Sequence, residues 1–345
     1  MFVRWDGQTV EADERARLPG HEGTAVVRRF DAPEALETRF YEVRAKSALN
    51  RVPPRSRVPF DWTVNPYRGC SHACTYCFAR PTHEYLEFDA GRDFEKEIVV
   101  KVNVPEVLRK EVARPSWKRH HIAMGTNTDP YQWVEGRYKL MRGIWEVLRD
   151  AANPCSILTK SPLLLRDLDL MLEVAERAEI SACLSVPTLD EKAWRASEPH
   201  TPHPRARLEA VAELNRLGIP TGVLIAPLMP GINDAPEQVE RIIALATEAG
   251  AVSIGGQTLF LRGSVREIFF DWLRAYRPEL IPRYERLYAR GAYIPERERR
   301  AIERAAGLPA FRKRYDPERF KHRGLQRRPE PLPTRREEVL QERLF

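Results

Sequence analysis

The 345-residue chain has no run of roughly 18 or more apolar residues, which excludes a membrane-spanning helix. Its opening segment, MFVRWDGQTVEADERARLPG, has no apolar stretch after a basic start and does not read as a signal peptide. A cytoplasmic location is expected, where thiols stay reduced. No internal repeat beyond an alternation of strand and helix is visible. Cysteine is scarce, with 5 in all, and three of them share one short segment. An odd, clustered set of thiols argues against disulfides. Charge is not scarce: the net charge of +7 permits contact with nucleic acid without demanding it.

The cysteine segment is NPYRGCSHACTYCFAR, residues 65–80. It sets Cys70, Cys74 and Cys77 in a C-x3-C-x2-C spacing on a polar loop, with Tyr76 just before the last thiol. Closely spaced thiolates on one loop can converge on an iron–sulfur cluster. A four-iron cubane needs four ligands, and three thiolates leave one iron open to a small molecule, as in catalytic metal sites. The competing reading is zinc. It would need a second C-x2-C half, which does not follow, or His72 as a fourth ligand from within the tight loop.

Hydrophobic residues make up 43% of the chain, enough for a sizeable core. Residues 1–55 read as a polar lead-in without sustained periodicity. Over 56–276 strand-like and helix-like segments alternate. The strands are DWTVNPY, HHIAMGT, CSILTK, SACLSVP, PTGVLIAPLMP and AVSIGGQTLF, and each is followed by a helical segment. Near-continuous apolar strands joined by helices predict an α/β fold with a parallel sheet. The count fits a partial (β/α)6 TIM-like barrel, and a flat doubly wound sheet is the alternative. Residues 277–322 read as a C-terminal helical extension with two short helices. Residues 323–345 are proline- and charge-rich and read as a flexible basic tail.

The motif resembles that of radical S-adenosylmethionine (SAM) enzymes. The surrounding text is similar, more narrowly, to the spore photoproduct lyase-like group, also called DNA repair photolyase-like. NPYRGCSHACTYC, EIVVKVN, GTNTDPYQ, ILTKSPLL, SVPTLD and GIPTGVLIAPLMPGIND carry the likeness, between about Phe60 and Trp272. The resemblance implies a partial barrel, a [4Fe-4S] cluster on Cys70, Cys74 and Cys77, and SAM at the open iron. One electron, supplied by a donor such as flavodoxin or ferredoxin, would cleave SAM, and the 5′-deoxyadenosyl radical would take a hydrogen atom from the substrate. One departure matters. Photoproduct lyases look to place a hydrogen-donating cysteine at the second strand's end, and here that run is Gly125-Thr126-Asn127-Thr128-Asp129.

In α/β barrels reactive groups collect at the carboxyl ends of the strands. Lys160 ends the third strand and could neutralise the SAM carboxylate, or be a solvated lysine. Ser185 ends the fourth and could bond that carboxylate or the ribose, or a local backbone group. The resemblance implies SAM's amine near Thr126, Asn127 and Asp129, although Asp129 before Pro130 is also a turn-former. Glu198 could reach the ribose or cap the following helix, in a loop shared with His200 and His203. Gly255 and Gly256 would admit adenine or mark a bulge. Cys155 and Cys183 read as small core residues. The alternative from another class is a metal-stabilised nucleic-acid-binding protein with structural cysteines.

Overall fold

The order of the strands decides between the two candidate architectures. They are β1 (Val10–Asp13), β2 (Val26–Phe30), β3 (Arg39–Val43), β4 (Leu49–Arg51), β5 (Trp62–Val64), β6 (Tyr67–Arg68), β7 (Glu97–Lys101), β8 (Ile122–Met124), β9 (Cys155–Thr159), β10 (Ile180–Ser185), β11 (Thr221–Leu228) and β12 (Ile254–Thr258). The computed structural model describes residues 10–13, 18, 25–30, 37–53, 56 and 58–308. The larger sheet runs β12-β11-β10-β9-β8-β5-β4. All neighbours from β5 to β12 are parallel, and β4 joins β5 antiparallel.

A doubly wound sheet reverses its strand order at a switch point. Here every crossover steps to the next strand in the same direction. Right-handed crossovers then put all the connecting helices on one side, and the sheet curls with its other side inward. The helices Val104–Val112, Leu140–Asp150, Leu168–Ala175, Pro204–Arg216 and Pro236–Glu248 form that outer layer. Among the described residues β12 pairs with neither β5 nor β4, so the (β/α)6 barrel is open.

Two of the central strands are not buried on both faces. In β9 and β10 fully buried and partly buried residues alternate. Ile157, Ala182 and Leu184 pack into the main core beneath the helices. The alternate positions, Ser156, Leu158, Ser181 and Cys183, face the other way, into the barrel.

Residues 1–55 differ from the expected lead-in wherever they are described. β2 and β3 belong to a second sheet, β1-β2-β3-β7-β6, and β4 edges the barrel. The reason is pairing rather than periodicity. Phe40 and Phe30 pack with Ile98 and Val100 from β7, some sixty residues on, so the partner that makes β3 a strand is distant in sequence. The C-terminal extension contains the helices Ile281–Leu287 and Glu296–Ala305, the latter hydrogen-bonded to β12 through Glu303 and Thr258 (3.2 Å). Residues 309–322 and the basic tail lie outside the described residues.

The helical segment after β8, GRYKLMRGIWEVLRDA, is broken at Lys139, whose φ is 52°. The break turns Glu135 back onto the next helix. Its buried carboxylate accepts from the amides of Leu140 (3.1 Å) and Met141 (3.0 Å), from Tyr67 and from Arg166 (2.6 Å). A helix start is thereby capped and tied to the strand that leads into the cysteine loop. Glu135→Ala leaves these donors unmet, and the expected loss in urea unfolding is about 3–5 kcal/mol, as for other broken buried pairs.

Candidate functional site

The cysteine loop leaves β6 through Gly69, at φ 80°. A side chain there would meet Ile98, the carbonyl of Phe94 and His83 at 2.9–3.0 Å, so glycine is required. Cys70 then anchors by donating its amide to Phe94 O (2.9 Å). Gln132 braces the same turn, accepting from Ser71 N (2.9 Å) and donating to Gly69 O (3.2 Å). Arg80 holds the far side. Its guanidinium, 1% exposed, donates to the carbonyls of Cys74 (3.0 Å), Ala73 (3.2 Å), Ala90 (3.0 Å) and Gly91 (2.8 Å), and to Glu95. That uses every N–H of the fork. Cys70 and Cys74 are buried and Cys77 is partly exposed. Burial pushes the Cys77 thiol up to about 11 and that of Cys74 well up, while Lys160 opposes the shift at both.

The strand ends meet the loop in one ionic network. Glu198 is wholly buried. It accepts from Tyr76 and Arg207 (2.6 Å) and lies 3.5 Å from Lys160 Nζ. Arg207, also fully buried, donates to Ser185 O (2.8 Å) and Pro202 O (3.0 Å) as well. Burial alone would raise the Glu198 carboxyl, but Arg207 and Lys160 outweigh it and hold it down at about 2. Lys160 Nζ donates to Ser185 Oγ (2.9 Å), and the ammonium sits 5.8 Å over the Tyr76 ring. Tyr76, Lys160, Ser185 and Glu198 are thus brought together.

Asp129 is engaged otherwise. Its carboxylate accepts from Thr159 Oγ1 (2.6 Å), Lys160 N (2.7 Å) and Tyr131 N (2.9 Å), stitching the exits of β8 and β9 together. His72 Nδ1 lies 3.4 Å from it, and the same side chain also interacts with Cys70. Thr126 and Asn127 stand half-buried at the β8 exit, with no side-chain hydrogen bond to other described residues. Glu198 ends the helix Glu191–Ser197 and does not cap the following one. That role falls to the exposed His203, whose Nδ1 accepts from Arg205 N (3.1 Å). Gly256 has a packing reason: a side chain there would meet Leu308 at 2.6 Å and Ile225 O at 2.9 Å. Cys155 is buried toward the helices, and Cys183 faces the barrel, partly exposed.

Three residues of this site were not found in the sequence. Arg80 directly follows the motif, and Gln132 sits in GTNTDPYQ, but nothing local marks either as buried. Arg207 sits in a helical segment, PRARLEA, where an arginine ordinarily faces water.

A parallel barrel that presents three thiols and a buried ionic network at its carboxyl mouth is built as an enzyme scaffold. Residues 64–260 match the family model of the radical SAM superfamily, and the chain belongs to that superfamily. It is 45% identical over 313 residues to an uncharacterized protein of Mycobacterium tuberculosis, covering 89% of this chain and 92% of that one. An uncharacterized protein of Methanocaldococcus jannaschii is 29% identical over 202 residues, covering 59% and 71%. Among solved structures, a spore photoproduct lyase complexed with dinucleoside spore photoproduct superposes with a TM-score of 0.56 at 13% identity, covering 78% and 77%. A mutant of that lyase with bound AdoMet and the dinucleoside gives 0.55 at 14%, covering 77% and 76%. The protein is a radical SAM enzyme, of a family that uses a [4Fe-4S] cluster and SAM.

Arg80→Met removes the brace without touching a thiol. In the metal-free protein the buried Cys74 is expected to react with Ellman's reagent about tenfold faster, for a loop opening eased by about 1.4 kcal/mol. An unchanged rate would show that the loop holds without Arg80.

Proposed function

We propose that Cys70, Cys74 and Cys77 carry the [4Fe-4S] cluster of this enzyme, and that SAM is bound between the cysteine loop and the ends of β8, β9 and β10. The observation that carries this reading is the donor set of the loop. The three thiols lie within electrostatic reach of one another. Yet among the described residues no three His, Cys, Asp or Glu side chains converge on a single ion. A tetrahedral zinc would hold its ligands about 4 Å apart, whereas a cubane takes each thiolate on a different iron. Ser71 Oγ and Thr75 Oγ1 are buried without a partner in the same loop, and cluster sulfurs accept such hydrogen bonds. The residues fit a cluster better than a mononuclear site.

The chemistry that cluster and SAM supply when bound is reductive cleavage of the sulfonium bond, giving a radical that abstracts hydrogen from the substrate. The remaining work belongs to side chains. Lys160, held by Ser185 and balanced by Glu198, offers its remaining donor capacity to a carboxylate at the mouth. Thr126 and Asn127, without a side-chain partner among the described residues at the β8 exit, suit an amine or hydroxyl. Asp129 and Glu198 act through others, fixing Lys160 and Tyr76 rather than touching ligand. Radical SAM enzymes draw on a reductant, and flavodoxin or ferredoxin is the class of donor to supply first.

The substrate class to test first is nucleic acid. The net charge of +7 allows it, and lyases of similar fold are complexed with a dinucleoside. Photoproduct repair itself is not proposed, because no cysteine stands in Gly125–Asp129.

Two measurements test the site. After anaerobic reconstitution, Cys70→Ala, Cys74→Ala and Cys77→Ala are each expected to lose iron and SAM cleavage, while Cys155→Ala and Cys183→Ala keep both. A requirement for Cys155 or Cys183 in iron binding would remove the open iron and with it this reading. Lys160→Ala is expected to keep its iron and bind SAM about 10- to 150-fold more weakly, the worth of one charge-assisted hydrogen bond. Lys160→Arg should recover part of the affinity, since the planar fork presents its donors differently. Equal SAM affinity in wild type and Lys160→Ala would leave Lys160 as scaffold only.

A further inference from the structure

Most buried cations of this protein have an acidic partner: Arg207 has Glu198, Arg80 has Glu95, and Arg166 has Glu135 and Asp167. Arg68 and Lys101 do not. Both are half-buried, on adjoining strands of the second sheet, and neither has a carboxylate partner among the described residues. Pairing sets Arg68 opposite Val99, so that Arg68, Val99 and Lys101 share one face of the sheet. The two positive charges oppose each other across that face. Lys101 Nζ has one hydrogen bond, to the backbone carbonyl of Asn65 (2.9 Å), which leaves two of its three donors unused. The side-chain oxygen of Asn65 is itself buried without a partner. Burial, with Arg68 adding to it, pushes Lys101 down to about 8.

Keeping two half-buried cations together without an anion opposes folding. Lys101 bonds the backbone of Asn65, three residues before Arg68, at the carboxyl end of β5 where the chain enters the cysteine loop. That is the mouth side of the barrel.

We propose that Arg68 and Lys101, with the Asn65 amide beside them, form a binding site for a phosphate group at the rim of the barrel mouth. A compact ammonium and a planar guanidinium together supply the donors that a tetrahedral oxyanion takes. The Asn65 amide can present its NH2 in place of its oxygen by turning over, with Thr63 Oγ1, now 3.3 Å from Nδ2, donating to the oxygen instead. The phosphate has two sources with the same chemistry: a free phosphate monoester or a phosphodiester in a nucleic-acid strand. The site uses none of the side chains proposed to hold the cluster or SAM.

The test uses the full-length reconstituted protein and needs no turnover. Thermal unfolding is followed in inorganic phosphate and in chloride at matched ionic strength, and a fluorescein-labelled single-stranded oligonucleotide is titrated by anisotropy. Phosphate is expected to raise the wild-type Tm above that in chloride, and Arg68→Gln and Lys101→Met are expected to abolish the difference. Lys101→Met should raise the Tm in chloride, because an uncompensated cation is gone, which separates a ligand-holding role from a structural one. If the phosphate comes from a nucleic acid, each variant also weakens the oligonucleotide about tenfold. If it comes from a monoester, oligonucleotide affinity stays level while the phosphate response is lost. Equal responses to phosphate in wild type and both variants, with equal oligonucleotide affinity, would overturn the proposal. Should Lys101→Met not fold, Lys101→Gln with Arg68→Gln gives the same comparison.

Discussion

The arrangement at the barrel mouth depends on one buried charge. Glu198 has no access to water, and its ionised form survives because Arg207, equally buried, and Lys160 flank it. Pairs of this kind add little net stability, since desolvation consumes most of the attraction, but losing one partner is severe. Their value is in specifying position. Through Tyr76, which lies 122 residues earlier, Glu198 fixes the cysteine loop. Through Arg207 it fixes the end of β10, and through Lys160 the end of β9. Three segments with no sequence proximity are indexed to one carboxylate.

The second anchor works by a different principle. Arg80 meets four carbonyls and one carboxylate, so the cysteine loop, which has little regular structure, still has its polar backbone satisfied out of water. A loop held this way presents its thiols in fixed directions before any ligand arrives. Burial keeps Cys74 and Cys77 protonated, so ligation has to release protons. Lys160 eases that step at both thiols.

The barrel was legible in the sequence because its cause is local. Each βα unit shows its own apolar run and helix, and the one-directional order follows from repeated right-handed crossovers. The cysteine motif was legible for the same reason, as were Lys160 and Ser185, which occupy strand ends that any parallel barrel exposes. The second sheet was not legible. β3 is a strand only because β7 pairs with it in parallel after the whole cysteine loop has intervened. Arg207 and Arg80 were hidden because burial of an arginine is set by where distant carbonyls and carboxylates fall. Asp129 and Glu198 were found as residues, yet their roles were set by contacts the sequence does not announce. Both lie at the mouth, and both spend their oxygens on protein.

That distinction bears on how the site can be selective. With Asp129 and Glu198 committed to the protein, the polar groups left facing the mouth are few: Lys160, Thr126 and Asn127. The inner wall behind them carries Ser156, Ser181 and Cys183, with Leu158 beside them. A substrate at that wall meets hydroxyls, one thiol and one aliphatic side chain, with little strong charge. Charge recognition is therefore displaced to the rim, where Arg68 and Lys101 lie without an acidic partner among the described residues and the interior does not compete for the anion.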